Sequence, residues 1–215
     1  MKLSILILTH KRPNLFARCL KSVLDQLPPF TEVIVNNDSC DIEEVDHPNV
    51  TYYYKKFDNL SSIYKFLLDK ATGEFVYYLE DDDFLLPGFT FDSNADITAC
   101  NYMPSFNPVY HFKAMTHYKN GLHTPEEFKH LIDLELLQLS QFIYRRSLFD
   151  RIVFPTDNNI HNDIRITLDA VNQSKEIRTM NKVLYCQTQD AGDNISFPET
   201  STVVSITKDL GFLYG

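Results

Sequence analysis

Short apolar runs alternate with amphipathic stretches over residues 3–83, and this order restricts the possible folds more than any other feature of the chain. Residues 3–8 are apolar on both faces, as expected of a central parallel strand. Pro13 suits the first turn of a helix, and apolar side chains then recur at helical spacing. The order repeats, with strands predicted at 32–35, 50–54 and 75–79 and a helix at 62–71. Such βαβ-like units imply an α/β fold with a mostly parallel central sheet flanked by helices.

The second half of the chain is less regular. Thr124, Pro125 and Glu127 form a capping-box pattern, which predicts that a helix begins there. Hydrophobic patterning alone predicts the other elements: strands at 96–103, 109–115, 141–144 and 177–186, a short helix from Arg146 and a helix at 163–171. The polar tail from Gln187 is expected to be a mobile loop in part. With 215 residues and no internal repeat, the chain is expected to form one domain.

Composition and charge exclude several classes of protein. The net charge of −9 argues against a broad basic face for DNA or RNA. The cysteines lack zinc-ribbon or thioredoxin-type spacing, which favours reduced thiols in a cytoplasmic protein. The apolar N-terminal run is short and is followed by residues 10–13 (HKRP), so we interpret it as a strand and not as a signal peptide. No stretch approaches the roughly 20 apolar residues that a transmembrane helix needs.

Three polar clusters come directly after predicted strands. They are Thr9–His10, Asn37–Asp38 and the acidic run 80–83. In an open α/β sheet, ligands bind outside the carboxyl ends of the strands. These clusters should therefore converge on one edge of one sheet. This convergence is stronger evidence for a ligand-binding site than any single motif.

The acidic run favours a divalent metal. Two unit charges ~4 Å apart interact by ~4 kcal/mol at an effective dielectric near 20, so adjacent carboxylates repel one another strongly. A hard cation such as Mg²⁺ or Mn²⁺ relieves this repulsion, prefers oxygen ligands and accepts a diphosphate. It also stabilises charge on a departing phosphate oxygen. The alternative is a solvated acidic turn without a ligand.

The glycines exclude other nucleotide-binding folds. The chain has 6 of them, and no Gly-x-Gly-x-x-Gly or Gly-x4-Gly-Lys pattern can be built from their positions. Dinucleotide dehydrogenases and P-loop ATPases are therefore disfavoured. No Gly-x-Ser-x-Gly elbow of a serine hydrolase is present either.

Four stretches resemble family 2 glycosyltransferases of the GT-A fold. Residues 4–13 (SILILTHKRP) resemble the opening strand and its turn, and residues 32–39 (EVIVNNDS) resemble the second strand and its Asp-Asp-Gly-Ser-like turn. Residues 71–83 (ATGEFVYYLEDDD) are similar to the segment that carries the DXD motif. Asn162-Asp163, which opens a predicted helix, is similar to the Glu-Asp of the catalytic base, although it is also an ordinary N-cap pattern.

The resemblance implies a role for each matching residue. The residues expected around the nucleotide are Thr9, His10, Arg12, Asn37, Asp38 and Asp81. Asp38 would accept a hydrogen bond from the base, but a one-residue slip would give that role to Asn37 and leave the choice of base open. Asp81 would lie against the ribose. Asp82 would be the main ligand of Mn²⁺ or Mg²⁺, with Asp83 in support, and Glu80 replaces the usual first Asp.

The implied activity is transfer of a sugar from a nucleotide-diphosphate sugar, with a UDP-sugar favoured, to a glycan or another hydroxyl acceptor. The resemblance further implies inversion, with Asp163 as the general base. The single domain would divide into a donor-binding half at 1–90 and an acceptor-side half at 91–215. Two alternatives stay open: a nucleotidyltransferase that makes nucleotide sugars, and a non-catalytic nucleotide-sugar- or glycan-binding module.

Overall fold

The computed structural model describes residues 2–27, 31–39, 42–106, 109–110, 118–132, 137–159 and 161–188. The strands of this part of the chain are β1 (Leu3–Thr9), β2 (Thr31–Asn37), β3 (Val50–Tyr53), β4 (Phe75–Glu80), β5 (Phe84–Leu85), β6 (Ile97–Phe106), β7 (Val109–Tyr110), β8 (Gly121–His123), β9 (Phe142–Arg145) and β10 (Ile177–Thr188). The α-helices are α1 (Pro13–Leu24), α2 (Leu60–Lys70), α3 (Pro125–Lys129) and α4 (Asn162–Gln173). Two short 3-10 helices cover Leu139–Gln141 and Arg146–Arg151.

The strands of the described residues form one mixed sheet. Its order is β3-β2-β1-β4-β9-β6-β10-β5, with β7 beside β6 and β8 beside β10. The first four strands pair in parallel, so β1, β2 and β4 end together, with Leu8 opposite both Asn36 and Glu80. β9 runs antiparallel to both β4 and β6, and β6 and β10 pair in parallel. This register brings the polar residues that follow β1, β2 and β4 to one edge.

Helices cover both faces of the sheet, because alternate residues of each strand point to opposite sides. Ile5 and Ile7 pack in a core cluster with Phe16 and Leu20 of α1. Leu6 packs on the other face, in a cluster that includes Leu67 of α2 and side chains of α4. The strands are therefore buried on both sides, as parallel strands usually are.

The predicted α/β class with a helix-flanked central sheet is confirmed, and the parallel order holds for the first half of the chain. Antiparallel strands are added in the second half, where the hydrophobic pattern carries no information about pairing direction. The capping box at Thr124 is present, and its side chain and that of Glu127 cap each other's backbone N–H groups. The strand predicted at 109–115 is seen as β7 only, and residues 111–117 lie outside the described residues.

Two boundaries differ from the sequence prediction in ways that matter for the site. β10 continues through Gln187 to Thr188, where the sequence predicts the start of a polar loop. The two-residue strand β5, directly after the acidic run, pairs with β10 and is too short to show any periodicity.

No helix in the part of the chain that the structure covers combines the length and the apolar character needed to cross a membrane.

Candidate active site

The turns that follow β1 and β2 are joined to each other at the carboxyl edge of the sheet. Nδ1 of His10 contacts Oδ1 of Asp38, and the N–H of Lys11 donates to Oγ of Ser39 at 2.9 Å. The N–H of Asp38 donates to the carbonyl of Thr9 at 3.4 Å. Lys11 has a φ of 52°, a conformation that a non-glycine residue keeps only when its surroundings hold it there. The structure thus brings together three of the residues predicted to border the nucleotide.

Asn37 and Asp38 differ in accessibility. Oδ1 of Asn37 accepts hydrogen bonds from the N–H of Ser39 at 3.0 Å and from its hydroxyl at 2.8 Å, which is an Asx-turn. Asn37 is fully buried, whereas the Asp38 side chain keeps 22% of its surface exposed. Of the two candidates for reading a base, Asp38 is the one that offers a reachable carboxylate.

Arg12 connects the first turn to residues 80–83, which we call the acidic turn. Its Nη1 lies 3.1 Å from Oδ1 of Asp81 and 3.0 Å from Oδ2 of Asp82. The N–H of His10 also donates to Oδ2 of Asp81 at 3.4 Å. Both carboxylates are 4% exposed, so water screens these ion pairs only weakly. Arg12 therefore neutralises part of the negative charge of the acidic turn.

Three carboxylates of the acidic turn converge. One oxygen from each of Glu80, Asp82 and Asp83 lies within 4.8 Å of the other two. The N–H of Asp83 donates to the carbonyl of Glu80 at 3.1 Å and closes a tight turn at the end of β4. The sequence predicts Asp82 and Asp83 as metal ligands, and the geometry adds Glu80. Three hard oxygen donors at this spacing suit Mg²⁺ or Mn²⁺.

Burial is the main cause of raised pKa values in the acidic turn. It raises the pKa of Glu80 to about 8, with the Asp82 carboxylate as the next contribution. Burial also raises the pKa of Asp81 to about 6, and the adjacent Arg12 opposes this rise. The pKa of Asp83 lies well above its ordinary value for the same reason, with further contributions from its acidic neighbours. When ionised, these buried carboxylates repel one another, and a bound cation would reduce that repulsion.

Two residues that sequence reasoning missed also contact the acidic turn. Nη2 of Arg18, in α1, contacts the carbonyl oxygen of Asp82 and donates to Oγ1 of Thr188 at 2.8 Å. The N–H of Thr188 donates to Oδ1 of Asp83 at 2.9 Å. Arg18 and Thr188 are 170 positions apart. No local pattern could have signalled this contact.

Asp163 lies in the first turn of α4. Burial raises its pKa to about 6, against the stabilising backbone N–H groups of that turn. After burial and Asp82, the Asp163 carboxylate is the next influence that raises the pKa of Glu80. The Tyr64 hydroxyl donates to Oε1 of Glu80 at 3.5 Å, and its own pKa is raised by burial, by Glu80 and by Asp163. The electrostatic coupling therefore places Asp163 near the acidic turn.

A polar network fixes the loop that leads into α4. Nη1 of Arg165 donates to Asp157 at 3.0 and 2.7 Å and to Oδ1 of Asn162 at 2.9 Å. The Asn162 side chain, which is fully buried, donates in turn to the carbonyl of Asp157 at 2.9 Å. Asn162 thus ties the start of α4 to the backbone of the loop at Asp157.

Arg145 and Arg146 lie at the end of β4 that is opposite the acidic turn. Arg145 pairs with Phe75, the first residue of that strand, and its Nη1 bonds Glu74 at 2.7 Å. Nε of Arg146 donates to the carbonyl of Gly73 at 2.9 Å. Both arginines have structural partners away from the acidic turn.

Residues 4–153 match the family model described as glycosyl transferase family 2, which is well over half of the chain. The chain belongs to glycosyl transferase family 2. It is therefore an enzyme, a glycosyltransferase, and the resemblance noted in its sequence is confirmed. Asp163 lies beyond the matched residues, so the family match does not extend to the position of the base.

Individual relatives agree with this assignment. The chain is 26% identical to the uncharacterized glycosyltransferase YwdF of Bacillus subtilis strain 168 over 213 residues, covering 91% of this chain and 78% of the relative. It is 35% identical over 99 residues to the GalNAc(5)-diNAcBac-PP-undecaprenol beta-1,3-glucosyltransferase of Campylobacter jejuni strain NCTC 11168, covering 40% of this chain and 31% of the relative. The chain thus spans most of the first relative and about a third of the second.

The fold is that of a solved GT-A glycosyltransferase. S. aureus TarS 1-349 in complex with UDP-GlcNAc superimposes with a TM-score of 0.71 at 20% identity, covering 93% of this chain and 62% of that one. A complex of the same protein with UDP gives a TM-score of 0.69 at 20% identity, covering 88% and 61%. At this identity the likeness establishes the fold, and the predicted GT-A class is confirmed.

Proposed function

We propose that this glycosyltransferase moves a sugar from a nucleotide-diphosphate sugar, with a UDP-sugar favoured, to an acceptor hydroxyl. The reaction is metal-dependent and inverts the anomeric carbon, with Asp163 as general base. One observation carries the proposal: oxygens of Glu80, Asp82 and Asp83 converge in the acidic turn, and Nη1 of Arg12 lies 3.0 Å from Oδ2 of Asp82. The Asp163 carboxylate, on α4, contributes to the raised pKa of Glu80.

The donor side is assigned to the turns after β1 and β2. His10 and Asp38 are in contact, and a carboxylate held at this edge suits a hydrogen-bond donor on a base. Arg12 supplies positive charge for a diphosphate, and Asp81 lies beside it for a ribose hydroxyl. The structural relative TarS is solved with UDP-GlcNAc and with UDP, which supports uracil as the base.

The acidic turn fits a divalent cation, because it offers hard oxygen donors at mutual distances that one ion spans. Asp82 would be the main ligand, with Asp83 and Glu80 in support. When bound, Mn²⁺ or Mg²⁺ supplies charge stabilisation for the departing diphosphate oxygen. The raised pKa values of Glu80 and Asp81 support the proposal, since they report a site where negative charge is confined.

Asp163 is assigned to the acceptor hydroxyl. A carboxyl with a pKa of about 6 is mostly ionised at neutral pH and is a stronger base than an ordinary aspartate. It takes the hydroxyl proton while the acceptor oxygen forms its bond to the anomeric carbon. The bond from that carbon to the diphosphate oxygen breaks in the same displacement, so the configuration inverts. Asn162 and Arg165 keep the base in place through the loop before α4.

We further propose that the chain works as one domain, with residues 1–90 on the donor side and 91–215 on the acceptor side. A single sheet runs through both parts among the described residues, with β4 of the first half paired to β9 of the second. The acceptor is a glycan or another hydroxyl compound.

The proposal is tested by nucleotide release from a panel of nucleotide-diphosphate sugars in the presence of Mn²⁺, with candidate acceptors. Asp163→Asn should lower turnover by at least about 100-fold and leave donor affinity nearly intact, since a positioned base contributes roughly 10²–10⁴-fold. Asp169→Asn, in the same helix, is the matched control and should behave as the native enzyme. Turnover by Asp163→Asn at the native rate would remove the proposed base.

A further inference from the structure

We infer that Arg18 is a positioning residue for the acidic turn: it holds the backbone of Asp82 and the end of β10 so that the turn's carboxylates stay arranged for a divalent cation. This inference rests on the proposed metal site. Arg18 is not one of the residues that the family resemblance assigns, and it touches none of the proposed ligand oxygens among the contacts described above.

Arg18 reaches the acidic turn from α1 through three contacts. Its Nη2 contacts the carbonyl oxygen of Asp82 and donates to Oγ1 of Thr188 at 2.8 Å. The guanidinium carbon lies 4.7 Å from the centre of the Phe84 ring, in a cation–π arrangement just after the turn. The guanidinium therefore contacts residues on both sides of Asp83.

Thr188 completes the connection from β10. Its hydroxyl contacts the same Asp82 carbonyl, and its N–H donates to Oδ1 of Asp83 at 2.9 Å. The Asp82 carbonyl thus has two donors, and Asp83 is oriented by a third. Helix α1, the acidic turn and β10 meet in a small hydrogen-bonded network that is partly buried.

Arg18 and Arg12 act on the turn in different ways. Arg12 binds the carboxylates of Asp81 and Asp82 directly and occupies oxygens that a cation would use. Arg18 binds the backbone carbonyl of Asp82. Adjacent carboxylates tend to swing apart. A backbone held from two sides resists that movement, and groups that orient metal ligands from outside typically change affinity by 10–100-fold when removed.

The test uses Mn²⁺ alone, titrated by calorimetry into the native chain and into Arg18→Met, Arg18→Lys and Thr188→Val. Arg18→Met should weaken Mn²⁺ binding by about 10-fold or more. Arg18→Lys should lie between it and the native chain, because a lysine keeps the charge but loses the planar fork. Lys21→Met removes a charge from the exposed face of α1 and should leave Mn²⁺ affinity unchanged, provided that thermal unfolding shows each variant to be folded.

Kinetics separate positioning from catalysis. If Arg18 acts through the metal site, donor turnover by Arg18→Met or Thr188→Val should recover towards the native kcat as Mn²⁺ is raised. A folded Arg18→Met variant with native Mn²⁺ affinity and native kinetics at low Mn²⁺ would overturn the inference. If the native chain itself fails to bind Mn²⁺, the proposed metal site is wrong, and the inference about Arg18 is wrong too.

Discussion

At the scale of single residues, the main property of the site is the burial of its carboxylates, which raises their pKa values. Asp81 and Asp163 both have a pKa raised to about 6, chiefly by burial. A base is useful only when it is unprotonated, so the raised pKa of the proposed base Asp163 is expected to set the acid limit of the reaction. The same shift makes the carboxylate a better proton acceptor near neutral pH.

We expect kcat to fall as the pH decreases through about 6, because Asp163 gains its proton there. Below that pKa the decline should approach tenfold per pH unit, measured at saturating donor and Mn²⁺. Asp163→Glu should turn over more slowly, but its kcat should still fall at low pH, since it retains a carboxylate. A rate that stays flat from pH 5 to 8 in the native enzyme would be inconsistent with Asp163 as the base.

The clustering of most residues proposed for the donor side was predictable from the sequence, because each lies at the end of a strand or directly after it. Thr9, His10 and Asp38 lie together for that reason. The difference between Asn37 and Asp38 was not predictable, since only the folded turn shows that Oδ1 of Asn37 accepts from the N–H of Ser39. The position of Arg18 beside the acidic turn was not predictable, because its partner Thr188 is distant in the chain.

At the scale of elements, the parallel order of the first half of the sheet was predictable from the sequence. In the second half the strands β6, β9 and β10 were predictable, but their pairing directions were not. Strands β1 and β4 are apolar along most of their length and β2 is apolar at 33–35, which is what burial on both faces requires. The short strands β5 and β8 take their place through pairing with β10 and not through their own sequence. Pairing across long chain separations leaves no local signal.

The connection between α2 and β4 offers a sharp test of packing. A Cβ at Gly73 would lie 2.5 Å from Oγ of Ser4 and 2.8 Å from the carbonyl oxygen of Phe75, whereas a Cβ at Gly88 would meet nothing within 4 Å. Gly73→Ala should lower the free energy of unfolding by about 3 kcal/mol through steric overlap. Gly88→Ala should cost only about 1–2 kcal/mol from its φ of 86°.

Thermal unfolding monitored by circular dichroism would measure both variants. A difference of 1 kcal/mol corresponds to about 2–4 °C in Tm for a chain of this size. Gly73→Ala should therefore melt several degrees below Gly88→Ala. Equal melting temperatures would show that the close approach at Gly73 relaxes at little cost.

At the scale of the whole molecule, a chain with a net charge of −9 gathers some of its carboxylates in one buried turn. The folded protein keeps protons on Glu80, Asp81 and Asp163 at pH values where the unfolded chain has released them. Raising the pH from 5 to 8 should therefore lower the free energy of unfolding, on the order of 2 kcal/mol or more without metal.

Added Mn²⁺ should raise Tm, and this rise should grow with pH as the carboxyls lose their protons. Differential scanning calorimetry with EDTA or with Mn²⁺ measures both trends, and Glu80→Gln should flatten the pH dependence of the metal-free protein. A metal-free protein that becomes more stable from pH 5 to 8 would mean that the acidic turn carries no such electrostatic cost.

The central claim is that the acidic turn binds a nucleotide donor through a divalent cation. Calorimetric titration of UDP, GDP, ADP and CDP with and without Mn²⁺ tests it most directly, on the native chain, Asp82→Ala and the exposed-acid control Asp92→Ala. We predict that one nucleotide, UDP, binds tightly to the native chain and to Asp92→Ala, and that binding is lost without Mn²⁺ or in Asp82→Ala. Absence of nucleotide binding to the native chain, with or without metal, would contradict the account.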